Sequence, residues 1–555
     1  MSIPGFGGTN GSLASDSSEF TQVSIPPANE WRIEVPFKKL LKLKVTLGTL
    51  EINGSELPNN VELQLSGVKL PIYAPPSINK EHAKVEYKLV TNPDQSVLLS
   101  SEDEEFTQYL SDETNMDLVV NLAMYIESKR QIAKDLKTNE GDLALGPRVL
   151  ILGGKYLGKT SLAKTLVSYA VKMGSSPVLV NLDPKHGVFA LPGSLSATVI
   201  NDSLDIECAN GYGFTMTTTG SLSKSMKQPV VKNFGFSDVD ENVKLYTRQI
   251  DQLGIAVLSK LEGIEDGSGS EVDGNHNKVR SSGVIVDTPP FTMKSFDIIS
   301  SIVSDLKIDL IVVLGNEKMK IDLTKKLKHK IEQGSLNIIK LSKSPGVVDD
   351  VNDRFIRMTQ EQTIREYFNG NHRIRLSPFK TEIDLPSSLS SASASASSSS
   401  SSSTSSSGLV IYKSVLTKEY ESSMAFLPSG DDFEHITNED ENGGEGNDGD
   451  GRGIVEDIKE YYQILEDPNS SNLDNSIVAI THLPLESGSS SVTSGPSGSL
   501  NMSSKRKREL LNTSVMGYIH VSKVDDEKKK MKILLPFPGV FPRNVLIATS
   551  IGYNE

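Results

Sequence analysis

The segment Gly153-Gly154-Lys155-Tyr156-Leu157-Gly158-Lys159-Thr160 satisfies the pattern G-x-x-x-x-G-K-[ST], between the apolar run VLIL and the amphipathic stretch KTSLAKTLVSYAVKM. This pattern needs a strand, a glycine turn and a helix in that order. The glycines let backbone N–H groups turn inward around phosphates at the helix N-terminus, where the peptide dipole favours negative charge. Lys159 then reaches the β- and γ-phosphates, and the Thr160 hydroxyl meets a magnesium ion. The chain is therefore expected to bind a nucleoside triphosphate.

Around this motif, from Arg148 onward, strand-like runs alternate with helical ones: RVLILG, PVLVNLD, GVIVD, DLIVVLG and NIIKLSK are separated by segments with apolar residues at helical spacing. Alternation of this kind requires crossover helices and a mostly parallel sheet covered on both faces. Asp287 closes the strand GVIVD, where a P-loop fold holds its magnesium-side carboxylate. Asp183 closes VLVNLD and has two readings, a phosphate-crevice residue or a β-turn aspartate before Pro184. A guanine-specific site is disfavoured, because Asp287-Thr-Pro-Pro lacks the glycine expected three residues on and no Asn-Lys-x-Asp occurs. Adenine is the better base. The late helical segment DVNDRFIRMTQEQTIREYF carries Arg354, Arg357 and Arg365, which form either a lid over the triphosphate or a solvated face.

The flanks differ in character. WRIEV, LLKLKVTLGTLEI, VELQL and KLPIYA are short strands with Asn-Gly and Ser-Gly turn signals, the mark of a small β-sandwich in which Trp31, the single tryptophan, has a core or interface role. Met116–Leu136 then has helical spacing and reads as a linker helix. Past Gly370, strand-like runs such as NSIVAITHL, VMGYIHVSKV and NVLIATSIGY alternate with a serine tract, an acidic run and a Ser/Gly-rich stretch, none able to bury enough apolar area to offset its ordering entropy. Gly267–Arg280 reads as a mobile Gly/Ser/Asn-rich insertion.

The expected fold class is α/β: a central P-loop NTPase domain (141–375) with a mostly parallel sheet follows a lead (1–18), an N-terminal β-sandwich (19–112) and the linker helix (113–140). A small C-terminal β-domain (376–555) completes it, with disordered insertions at 386–408, 428–453 and 485–508.

Composition limits the function classes. The formal charge of −14 is concentrated: residues 431–452 carry nine acids and one arginine, and Ser101–Glu113 carries six acids, so the remainder is nearly neutral. One cysteine, Cys208, excludes an internal disulfide and multi-cysteine metal sites, which indicates a reducing compartment. No apolar run reaches the ~18–20 residues needed to cross a bilayer, and no membrane association is expected. Lys505-Arg-Lys-Arg508, set in a polar loop, is a nuclear-import candidate.

The segments NEWRIEV, KLPIYA, GPRVLILGGKYLGKTSLAKTLVSYA, PVLVNLDP, QPVVKNFG, GVIVDTPP, TIREYFNG and KILLPFPG occur in an order that resembles the polynucleotide 5′-hydroxyl kinase family, in particular its branch of fungal cleavage factor IA subunits. The likeness spans most of Glu30–Gly552. It implies the three-domain division above, and ATP with Mg²⁺ at Tyr156, Leu157, Gly158, Lys159, Thr160 and Ser161. It also implies adenine-side contacts from Glu30 and Lys69. The chain departs from kinase-active relatives, which carry Asp-Thr-x-Gly-Trp where this chain has Asp287-Thr-Pro-Pro-Phe291, and a second aspartate with Gly-Gln where it has Pro184-Lys-His186. Phosphoryl transfer needs an oriented nucleophile and a base within reach.

The resemblance thus implies an ATP-bound, non-catalytic nuclear subunit of the pre-mRNA cleavage and polyadenylation machinery. Its partner would be the scaffold subunit of cleavage factor IA that binds the polymerase C-terminal domain, with other 3′-end processing factors and RNA contact. The alternative is an active RNA 5′-hydroxyl kinase in which Asp183 or Asp287 lies near the nucleophile and Arg354 or Arg357 clamps the phosphoryl group.

Overall fold

The computed structural model describes residues 20–93, 105–135, 144–212, 228–262, 274–343, 353–385, 409–418, 458–485, 493–494, 500–501 and 504–554. The serine tract and the acidic run at 431–452 lie outside them.

In the N-terminal region, Leu41, Leu43 and Val45 point inward while Lys42 and Lys44 stay partly exposed, the period-two pattern of a half-buried strand. Two antiparallel sheets result. One orders the strands Thr21–Ile25, Ala83–Thr91, Lys39–Leu47 and Glu62–Leu65; the other orders Ser55–Glu56, Glu51–Ile52, Val68–Tyr73, Glu30–Val35 and Thr107–Ser111. Residues from both share one core. Trp31 lies in that core, 1% exposed, with its Nε1 donating to Gln108 Oε1 at 2.9 Å.

Helix Met116–Asp135 leads to the central sheet and also packs on it: Val119, Leu122 and Ile126 share a core with Leu162 and Leu166 of helix Lys159–Lys172. The central sheet has seven strands in the order Val230–Asn233, Ser194–Val199, Val178–Asn181, Val284–Asp287, Arg148–Gly153, Leu310–Leu314, Asn337–Leu341. The last five are parallel, and the two at the other edge are antiparallel. Alternate residues of the parallel strands enter different cores: Val149 and Ile151 face helix Lys159–Lys172, while Leu150 and Leu152 face helices Val243–Glu262 and Phe296–Asp305. Burial on both faces explains the unbroken apolar runs. The register aligns Asn181 with Asp287, so Gly153, Asp287 and the turn after Asn181 gather at one end of the sheet.

A second seven-stranded sheet orders Phe379–Asp384, Lys530–Leu535, Val515–Asp525, Ser476–Pro484, Asn544–Gly552, Ile411–Ser414 and Tyr462–Ile464. Ile477, Ala479, Tyr518 and Ile547 from one of its faces join the same apolar core as Leu150, Phe234 and Leu245. Polar contacts staple the join. Lys232 Nζ donates to Asn512 O (2.5 Å), Asn242 Nδ2 to Val415 O (2.8 Å), and the Tyr462 hydroxyl to Asn233 O (3.0 Å).

Two local expectations change. Lys505–Arg508 lies in a helix, Ser504–Asn512, anchored by buried Leu510 and Leu511, rather than in a polar loop. Gly274–Ser282 is also helical, with Gly146 N donating to Arg280 O at 2.9 Å, so that part of Gly267–Arg280 is not a mobile insertion; 267–273 lie outside the described residues.

Candidate functional site

The turn between strand Arg148–Gly153 and helix Lys159–Lys172 holds two left-handed residues, Tyr156 (φ +56°) and Gly158 (φ +82°). Gly158 is the helix N-cap and supplies no capping side chain, which leaves the first-turn N–H groups to an anion. Lys159 is buried, and its Nζ donates to Gly154 O at 2.8 Å. Burial lowers its pKa, and the negative charges of Asp287 and Asp183 oppose that shift.

Asp287 is 0% exposed, and neither carboxylate oxygen has a hydrogen-bond partner. Burial pushes its pKa up, and the charge of Asp183 adds to the shift. The Thr160 hydroxyl, Lys159 and His186 favour its ionised form, Thr160 short of full hydrogen-bond geometry. A buried carboxylate without partners is costly, and a cation relieves it. Mg²⁺ takes one or two protein ligands and leaves its other positions to water and phosphates, so Thr160 and Asp287 fit it. An all-protein metal cage does not: among the described residues no cluster of three or more His, Cys, Asp or Glu could hold a metal.

Two adjoining cavities meet at the P-loop. One, about 130 Å³, lies between the sandwich and helix Lys159–Lys172, with Glu30 and Glu51 on the sandwich side and Ser161 and Thr165 opposite. The other, about 300 Å³, extends along the phosphate side past Lys159, Thr160, Asp183, His186 and Tyr212. Lys69, Tyr156, Leu157, Gly158 and Ser161 line both. Of the residues singled out from sequence, Gly153 and Asp287 back the cavities rather than line them.

Glu30 is 3% exposed; its Oε2 accepts from Arg32 Nε (2.9 Å) and its Oε1 from the Thr114 hydroxyl. Lys69 pairs with Glu34 at 2.9 Å, its directly opposed cross-strand neighbour, and its Nζ lies 5.7 Å from the Phe355 ring centroid. Asp183 Oδ1 accepts from Lys185 N at 3.0 Å within the turn, and its side chain lines the larger cavity. Helix Asp353–Asn369 does reach that cavity, but through Phe355, Ile356 and Thr359. Arg354, Arg357 and Arg365 are not among the residues that line it.

Several lining residues escaped the sequence reading. Lys164 lies one helical turn beyond Thr160, a spacing that puts both on one face. Its Nζ donates to Asn210 O and stands 4.5 Å from the Tyr212 ring centroid, and burial lowers its pKa to about 8. Glu51 and Asn53 enter from a hairpin of the sandwich, flagged in the sequence only by its Asn-Gly turn.

Comparisons with known proteins place this geometry. Residues 24–133 match a family described as the N-terminal beta-sandwich domain of polyadenylation factor, residues 153–370 the mRNA cleavage and polyadenylation factor CLP1 P-loop, and residues 398–555 the pre-mRNA cleavage complex II protein Clp1. The chain is 99% identical over 555 residues to the mRNA cleavage and polyadenylation factor CLP1 of Lodderomyces elongisporus, covering 100% of both chains. It is 51% identical to the protein of that name from Candida albicans, again over 100% of both. A solved structure of wild-type Clp1p in complex with Pcf11p is similar at a TM-score of 0.70 and 27% identity, covering 98% of this chain and 100% of that one. A second, at a TM-score of 0.70 and 27% identity over 97% of this chain and 100% of the other, is described by an extended Pcf11p–Clp1p interface and the structural basis for ATP loss in a glycine-to-arginine mutant. With three family models in sequence along the chain and full-length relatives of this similarity, the chain belongs to the mRNA cleavage and polyadenylation factor CLP1 family.

Proposed function

We propose that the chain is an ATP-holding, non-catalytic subunit of cleavage factor IA, acting in the nucleus in pre-mRNA 3′-end cleavage and polyadenylation. Glu30, Lys69, Gly153, Tyr156, Leu157, Gly158, Lys159, Thr160 and Ser161 hold the nucleotide in this reading, and Thr160 and Asp287 hold its magnesium ion. The observation that carries the proposal is an asymmetry of the cleft. On the nucleotide side, a buried lysine, a hydroxyl and a partnerless carboxylate converge at a helix N-terminus. On the acceptor side, the groups after Asp287 are committed elsewhere: the Thr288 hydroxyl donates to Ile151 O at 2.7 Å, and Phe291 is buried in the core. Thr160 and Asp287 would hold a magnesium ion on the nucleotide side, which would supply positive charge against the triphosphate. Lys159 supplies positive charge, and the backbone N–H groups after Gly158 orient the phosphates.

ATP bound across the seam joins the sandwich to the P-loop domain and favours the closed arrangement by linkage. That closed surface is what the partner recognises. Solved relatives are complexes of Clp1p with Pcf11p, which supports a partner of that kind, the scaffold subunit that also binds the polymerase C-terminal domain. The test is to purify the chain, denature it and identify the released nucleotide. Unhydrolysed ATP is expected; empty protein, or rapid turnover of ATP, overturns the reading.

One observation favours the alternative of an active RNA 5′-hydroxyl kinase: His186 Nε2 lies 3.9 Å from Asp183 Oδ2 in the phosphate-side cavity, a potential base beside a carboxylate. Incubation with 5′-hydroxyl RNA and γ-labelled ATP separates the two. Label transfer that disappears in Lys159→Ala establishes the kinase.

A further inference from the structure

The hairpin linking Glu51–Ile52 to Ser55–Glu56 turns through Asn53 (φ +47°) and Gly54 (φ +74°), two left-handed residues as a tight Asn-Gly turn requires. Its tip lies on the P-loop helix. A Cβ on Gly54 would stand 3.1 Å from both Ser168 Cβ and Thr165 O, a tight fit at a φ that side chains rarely adopt, so glycine is favoured there. Beside it, Ser55 Oγ and Ser168 Oγ are 3.2 Å apart. At the hairpin root, Glu51 is 4% exposed; one carboxylate oxygen accepts from the Tyr169 hydroxyl and the other from Lys172 Nζ at 3.2 Å. Burial and the Glu51 carboxylate push the Tyr169 phenol far above its usual range, so it remains a donor at physiological pH.

All of these contacts cross from the sandwich to helix Lys159–Lys172, and the smaller cavity lies along their seam. We propose that Glu51 is a positioning residue for nucleotide retention: its contact with Tyr169 and Lys172 holds the sandwich shut against the P-loop helix and sets how slowly a bound adenine nucleotide leaves. The inference rests on the ATP-holding reading above. A nucleotide lying in both cavities is walled by Glu51 and Asn53 on one side and Ser161 and Thr165 on the other. Release that parts those walls breaks two hydrogen bonds to a buried carboxylate. Such bonds are stronger than neutral ones, and affinity differences of this origin appear mainly in dissociation rates.

The experiment uses the full chain and a fluorescent N-methylanthraniloyl ATP. Association is followed by stopped flow, and dissociation by chase with excess ATP, for wild type, Glu51→Gln, Tyr169→Phe and Lys172→Gln. Lys172 is 38% exposed in its side chain, so its replacement leaves folding intact even if a buried variant does not fold. We expect Glu51→Gln and Tyr169→Phe to release nucleotide about tenfold faster or more, Lys172→Gln several-fold faster, and none to associate more slowly than wild type. A damaged site would instead lower the association rate. If wild type holds the probe and all three variants release it at the wild-type rate, the inference is overturned while the ATP reading stands. If wild type binds no adenine nucleotide, the ATP reading falls and the inference with it.

Discussion

Glu366, on helix Asp353–Asn369, is a half-buried carboxylate behind the phosphate-side cavity, where it accepts from Ala209 N at 3.1 and 3.2 Å. Burial pushes its pKa up to about 8, aided by the nearby Asp205 charge and opposed by the Ala209 N–H and Gln362. The unfolded chain releases this proton near 4.5, so between there and about 8 the folded state holds more protons. Stability from this group is present at low pH and lost as pH rises through about 8. Glu366→Gln keeps an oxygen acceptor for Ala209 and removes the charge. Thermal melts should show the variant more stable than wild type by roughly 1–2 kcal/mol at pH 9, and no more stable at pH 5. Candidate-site residues whose chemistry is local in sequence are legible at this scale: Lys159 and Thr160 from one octapeptide, and Asp287 from its place at a strand end. Glu30 and Lys69 were legible only through resemblance. Glu51 was not, because the groups that give it meaning, Tyr169 and Lys172, lie more than a hundred residues away.

Helix Met116–Asp135 is more than a connector because Arg130, 3% exposed, pairs with Glu127 at 3.2 Å and donates through Nε to Ser282 O at 2.9 Å. Without Arg130, the buried Glu127 keeps Gln131 Nε2 at 2.9 Å and Lys134 Nζ at 3.7 Å but loses its buried counter-charge. Arg130→Leu should therefore cost about 3 kcal/mol in denaturant unfolding, and Arg130→Leu combined with Glu127→Leu markedly less. The five parallel strands announced themselves because burial on both faces demands apolar runs. The strand Ser194–Val199 did not: it is buried, yet spells SLSATV. Its serines are hidden without penalty because Ser194 Oγ donates to Leu191 O and Ser196 Oγ to Val188 O. Helix Ser504–Asn512 was hidden by its basic run, since only the tertiary contacts of Leu510 and Leu511 show which face is apolar.

Across the whole molecule, the sandwich has a core of its own, whereas the P-loop domain and the C-terminal sheet share one. The nucleotide cavity lies on the looser of the two joins, a seam that includes the polar contacts of Glu51 and Ser55. Stripping the nucleotide should therefore lower the melting temperature of the sandwich's attachment first. At ligand a hundredfold above its Kd the difference is about 2.7 kcal/mol, readable as a two-step calorimetric trace that merges into one when ATP and magnesium are restored.

The shared core also orders events at the ribosome. The sandwich closes from strands within Thr21–Ser111, so it can fold while most of the chain is still unmade. The P-loop domain cannot complete its core in the same way, because the strand Asn544–Gly552 sits inside the C-terminal sheet, between Ser476–Pro484 and Ile411–Ser414, and contributes Val545 and Ile547 to that core. During synthesis, half of the nucleotide pocket thus waits, finished, for roughly four hundred further residues to emerge, a delay of about 20–80 s at 5–20 residues per second. A product cut short before residue 544 would present a folded sandwich joined to an open hydrophobic face, the kind of surface chaperones and proteases act on.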